Sequence, residues 1–175
     1  VGGEPDDSEK TVREHLRGVI AAEIERGTPA LWLVLIGHGT FDGRETKFNV
    51  RGPDFTDGEL AEWLKPFKGT LVVVNTASSS APFVEALAGE NRIIVTATKS
   101  AHEIFYPRFG EHFARAIGGL EAADLDQDGQ VSLLEAFLYA GHEVKVFFEK
   151  EGRIATEHAL LDDNGDQRGV RVEEF

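Results

Sequence analysis

Apolar residues recur at Val12, Leu16, Val19, Ile20 and Ile24, a helical spacing that predicts one apolar stripe on a helix over 9–26. Asp7 or Ser8 can cap its start, and Gly27 can end it. The pattern then changes. Leu31, Trp32, Leu33, Val34, Leu35 and Ile36 are apolar without interruption, which predicts a strand buried on both faces, as in a parallel sheet. Two more buried strands are predicted at 71–74 and 92–96. Between the first two, Phe41, Asp42 and Gly43 form a turn signal before a returning arm over 47–50. Thr56 and Glu59 have capping-box spacing ahead of Leu60, Trp63 and Leu64, so a short helix starts there. Ser80 and Pro82 read as the cap and first turn of another helix ending near Gly89. Helices are predicted over 108–117 and 133–150, followed by a polar tail. Strands alternating with helices imply a single α/β domain, a parallel sheet with helices on both faces.

Composition narrows the functional classes. The chain has 175 residues, 41% of them hydrophobic and 28% charged, enough for a real core and too apolar for a disordered chain. No apolar run approaches the roughly 18 residues that span a bilayer. The formal net charge of −13 repels phosphate backbones, which argues against nucleic acid as a partner and suits a chain that binds metal. There is no cysteine, so disulfides and thiolate metal sites are excluded. There is no methionine even at position 1, which suggests that the sequence begins inside a longer gene product.

The most specific motif lies at 124–135. Asp124, Asp126 and Asp128 place carboxylates at alternate positions, Gly129 allows the sharp turn, and Gln130 offers its backbone carbonyl. Ser132 stands where a bridging water is usual, and Glu135 closes the loop as a bidentate ligand. This is the pattern of an EF-hand-type calcium loop. Ser132 and Glu135 also form a capping box for the following helix, so an acidic cap is the plainer reading of the same residues. Gly118 and Gly119 break the incoming helix, which makes this a lone loop without a partner to rigidify it; an affinity of about 10⁻⁵–10⁻³ M is expected, and with it a structural role in a secreted or extracytoplasmic setting. Asp162, Asn164 and Asp166 repeat the alternate spacing, but Gln167 stands where glycine is usual, so a solvated turn is the plainer reading.

His38 and Ser78 both follow the C-terminal ends of predicted strands, where ligand sites gather in open α/β sheets. A histidine there suits a general base, a serine on a strand-to-helix turn suits a nucleophile, and the Gly39 N–H suits an oxyanion. A loop histidine and helix-capping serines explain the same residues. The segment Leu35, Ile36, Gly37, His38, Gly39, followed by Val72, Val73, Val74, Asn75, Thr76, Ala77, Ser78, Ser79, Ser80 and Ala81, resembles the core of the legumain and caspase group of cysteine peptidases. The resemblance runs over 31–106. It implies a histidine–glycine pair after one strand, an alanine–cysteine nucleophile motif after the next, and further strands on the N-terminal side. Here Ser78 holds the nucleophile place, and a hydroxyl, unlike a thiol, is not partly ionised near neutral pH. Three functions follow as expectations: a calcium-binding, catalytically degenerate domain that holds a peptide or protein partner, including the missing N-terminal part of its own precursor; a hydrolase using Ser78 and His38; or a structural module of a larger secreted protein.

Overall fold

The computed structural model describes residues 10–175. The caps expected at Asp7 or Ser8 lie outside the described residues. Helix α1 spans Val12–Glu25, and Thr11 caps it through a capping box with Glu14. Leu16 and Ile20 are buried along its stripe, whereas Val19 lies off the stripe and is 39% exposed. Gly27, at φ +65°, turns the chain away where only a residue tolerant of the left-handed region fits easily.

The central sheet has the order β1-β5-β6-β7, formed by Ala30–Leu35, Thr70–Asn75, Arg92–Thr96 and Leu160–Asp162. Strands β1, β5 and β6 are parallel, with Leu33 opposite Val73 and Val73 opposite Ile94. Between β1 and β5 lies a small antiparallel sheet of β2 (Gly39–Phe41), β3 (Thr46–Phe48) and β4 (Phe55–Thr56). It leads into α2, Asp57–Leu64, whose start carries the expected Thr56 and Glu59 capping box.

Side chains of β5 alternate between two cores. Leu71 and Val73 join α1, α2 and α3 (Pro82–Leu87) through Leu16, Leu64 and Phe83. Val72 and Val74 join α4 (Phe109–Ile117) and α5 (Leu133–Lys150) through Phe113, Phe137 and Ala140. Each such fully buried aliphatic or aromatic side chain contributes roughly 1.5–3 kcal/mol.

Three expectations are corrected. First, β1 is not buried on both faces. It is the edge of the sheet, and the layer of α4 and α5 leaves Trp32, Val34 and Ile36 exposed at 49%, 48% and 78%. Leu31, Leu33 and Leu35 face the first core. Second, the sheet is not wholly parallel. β7 emerges from the tail read as polar and pairs antiparallel with β6, because Leu161 is fully buried in the second core. Third, Ser80 is not the cap of α3; that position is Ala81, without a side-chain bond. The Ser80 hydroxyl instead lies 3.1 Å from that of Thr98 and accepts from the Ala97 N–H, tying the turn to the end of β6.

The start of α4 is capped from far along the chain. Glu157 accepts from the Arg108 N–H at 2.8 Å and the Phe109 N–H at 3.0 Å. Burial pushes its carboxyl above the ordinary 4.5 despite these bonds. The folded state therefore holds its proton more tightly than the unfolded chain. The associated stability is present below the unfolded pKa and declines as pH rises through the raised one. In Glu157→Gln this part of the pH dependence disappears: melting curves from pH 4 upward show the wild type losing stability relative to the variant.

Candidate functional site

His38 follows β1, and Ser78 follows β5, so the parallel pairing of the strands brings the two turns side by side. The approach is close. A Cβ on Gly39 would stand 2.1 Å from the Ser78 carbonyl oxygen, so only glycine fits there. The Ser78 hydroxyl donates to the Gly39 carbonyl at 2.8 Å and accepts from the Gly39 N–H at 3.3 Å. Neither bond involves His38. Ser79 is fully buried at φ +55°, and its N–H donates to the Glu103 carbonyl at 2.9 Å.

His38 is exposed, with its ring 6.2 Å from that of Tyr106. It lies at one end of a groove of about 610 Å³ whose floor is Trp32, Val34 and Ile36 and whose wall is α4. His102 packs edge-on against Phe41 at 5.2 Å beside the same turns. The geometry thus brings His38, Gly39 and Ser78 to one end of the sheet but joins only Gly39 and Ser78. A serine nucleophile needs a base within roughly 2.6–3.2 Å of its hydroxyl. Here that proton is directed at a backbone carbonyl, and the Gly39 N–H is engaged by the same hydroxyl.

The 124–135 loop lies between a 3₁₀ turn, Glu121–Ala123, and α5. One carboxylate oxygen from each of Asp124, Asp126 and Asp128 lies within 4.8 Å of the others, an arrangement able to hold a metal ion. The backbone sustains it: the Asp128 and Gly129 N–H groups donate to Asp124, and the Gln130 N–H donates to Asp128. Gln127 and Gly129 take φ +60° and +86°. Glu135 reaches back into the loop, accepting from the Leu125 N–H at 2.8 Å and the Asp126 N–H at 3.2 Å. The Ser132 N–H and hydroxyl, with these two amides, hold its carboxyl down to about 2, so it stays an anion. An all-oxygen donor set with several carboxylates fits a hard divalent cation. The capping-box reading holds alongside, since Ser132 and Glu135 form that box at the start of α5.

The segment 162–168 repeats this backbone pattern. Asp162 accepts from the Gly165 and Gln167 N–H groups, Asn164 from Asp166, and Asp166 from Arg168. Gln167 adopts φ +68° without being glycine.

One pair was not foreseen. His158 Nδ1 lies 2.5 Å from a Glu103 carboxylate oxygen, and Glu103 is the residue whose carbonyl holds Ser79. The two are far apart in the chain and share no motif, so only the fold brings them together. Comparison with protein-family models, curated proteins and solved structures finds no match to the chain.

If the Ser78 hydroxyl serves as a clamp, Ser78→Ala leaves Gly39 without its partner. Urea denaturation is expected to show a loss of about 1 kcal/mol.

Proposed function

We propose that the chain is a calcium-binding domain of caspase and legumain type, catalytically degenerate, that holds a peptide or protein partner at the strand ends. The observation that carries this reading is the bonding of Ser78 to Gly39 rather than to His38. The groove beginning at His38 offers an apolar floor and a polar end, the usual make-up of a recognition site. The alternative of an active Ser78–His38 hydrolase would need the hydroxyl to leave both Gly39 bonds and turn to the histidine.

Calcium, when bound, would neutralise the repulsion among the loop carboxylates and join the loop to the first turn of α5. Asp124, Asp126 and Asp128 would hold it with Glu135 and the Gln130 carbonyl. Its place is structural, in a secreted or extracytoplasmic setting where calcium is abundant.

The open edge of β1 supports the third element of the reading, completion by a segment of a longer precursor. Parallel sheets are normally covered on both faces and capped at their edges. Crossovers between parallel strands of one sheet are right-handed in about 98% of cases. The helices α2 and α3 belong to successive steps from β1 to β5 to β6 and pack on one face. Helix α1 lies on that face as well, the place of a crossover from a strand beyond β1.

Calorimetry on chelator-treated protein is expected to register one equivalent of calcium with a melting-point rise of several degrees at saturation, both lost in Asp124→Ala. An absent heat and an unchanged melting point overturn the metal assignment. A peptidyl electrophile is expected to leave Ser78 unmodified; covalent labelling found by mass spectrometry would restore the hydrolase.

A further inference from the structure

Two carboxylates fasten the loop between β6 and α4 to the segment that leads into β7, and they reach across in opposite directions. Glu103, on the loop, accepts from the His158 N–H at 3.2 Å and the Lys99 N–H at 2.9 Å, while its other oxygen meets the His158 ring. Glu157, one residue before His158, accepts from the Arg108 and Phe109 N–H groups at the far end of the same loop. The Glu103 and His158 side chains keep only 12% and 25% of their exposure, so the pair is largely withdrawn from water. The loop held in this way is a wall of the strand-end groove. The Glu103 carbonyl receives the Ser79 N–H, His102 packs against Phe41, and Tyr106 and Pro107 line the groove that begins at His38. Between the two anchors, Ile104, Phe105 and Tyr106 are 61%, 63% and 74% exposed, so little packing holds that stretch once Glu103 lets go.

Charged groups face this junction from every side. The loop brings Lys99 and Arg108, whose guanidinium lies 3.8 Å from the centre of the Phe147 ring. Lys145 and Glu149 of α5, Arg153 and Glu157 of the segment before β7, and Glu173 of the C-terminal turn line a cavity of about 230 Å³ that His158 also lines. Among the described residues, Glu103 supplies the one carboxylate within 4.0 Å of the His158 ring nitrogens. Burial, with a smaller push from the Glu103 charge, raises the Glu157 carboxyl above its ordinary 4.5, and the Arg108 charge offsets part of that rise. An imidazole ordinarily changes charge near about pH 6.5.

We infer that Glu103, His158 and Glu157 form a proton-operated clasp on the wall of the strand-end groove, closed in mildly acidic solution and loosened as the pH rises through neutrality. With His158 protonated, imidazolium and carboxylate make an ion pair as well as a hydrogen bond; with His158 neutral, the hydrogen bond alone remains. The protonated form therefore favours the closed loop, and that contribution is lost as the pH rises. The same rise ionises Glu157 beside Glu103, so the two titrations act in one direction. The clasp stands apart from the peptide-binding reading, because it governs the wall of the groove whatever the groove holds.

The test is hydrogen–deuterium exchange of the whole chain, read by mass spectrometry between about pH 5.5 and 8, with each rate divided by the intrinsic rate at that pH. Protection over 99–106 is expected to fall about tenfold across this range while protection over 71–75 holds, the size expected when an ion pair gives way to a plain hydrogen bond. Glu103→Gln removes the partner of both titrating groups and is expected to abolish the pH dependence. A Gln carbonyl at that position still accepts from the Lys99 and His158 N–H groups, so the loss reports the charge rather than the bonds. His158→Gln is expected to leave only the smaller part that comes from Glu157. Wild-type protection that stays constant across the range overturns the clasp, and that result needs no variant. A pH dependence that survives undiminished in either folded variant overturns it as well. So does a loss shared equally by 71–75, which marks opening of the whole domain rather than of the loop.

Discussion

Residues Leu71 through Asn75 of β5 are buried without exception, and that strand decides where everything else sits. Its even and odd side chains enter separate cores, so neither helical layer can shift without disturbing the other through one backbone. The same rigidity is delivered to the turn that follows. The Thr76 hydroxyl donates to the Leu35 carbonyl, and the Asn75 side chain accepts from the Ala77 N–H. Gly110 of α4 approaches so closely that a Cβ there would lie 2.7 Å from that of Thr76. Ser78 is thus held by a frame on three sides, and its hydroxyl has become part of that frame.

Much of this architecture was legible in the sequence. Unbroken apolar runs marked β5 and β6, capping-box spacing marked the starts of α2 and α5, and the alternating aspartates marked the loop before α5. Each of these signals is local: the residues that determine the element lie within a turn or two of one another. What was not legible depends on layers. The run that makes β1 is as apolar as β5, and nothing in it records that α4 and α5 end before covering it. β7 is announced by only two leucines in a polar tail, and its place was set by partners far up the chain. Ser80 has the right type and position for a cap, but Thr98 and Ala97 lie nearer to its hydroxyl than the helix amides do. At the candidate site, the residue types were readable while their bonding was not, because a serine three residues past a strand reads alike whether it faces a histidine or a glycine.

The two carboxylate loops stand in different mechanical settings. The first opens α5 and is joined to it by Glu135. The second follows β7 and leads to a short 3₁₀ turn, Val172–Glu174, that packs back on α5. Gly141 makes this possible, since a Cβ there would meet Val172 at 2.2 Å. Phe175 then packs edge-on against Phe137, with the ring centres 5.9 Å apart. One helix therefore receives both loops near its N-terminal half, while its C-terminal half carries Phe147 beneath Arg108. Ordering at either loop bears on the placement of a single long element.

The bare edge of β1 also has a colloidal consequence. Six uncharged residues in extended form, with Trp32 and Val34 turned outward, are a template onto which another strand can be laid. At low ionic strength the chain's negative charge keeps copies apart. At about 0.15 M salt that repulsion fades beyond roughly 8 Å, while the attraction at the edge is one of contact and is not screened. The domain on its own is therefore better kept in dilute buffer than in brine, and its shelf life is governed by its least protected strand rather than by the strength of its core.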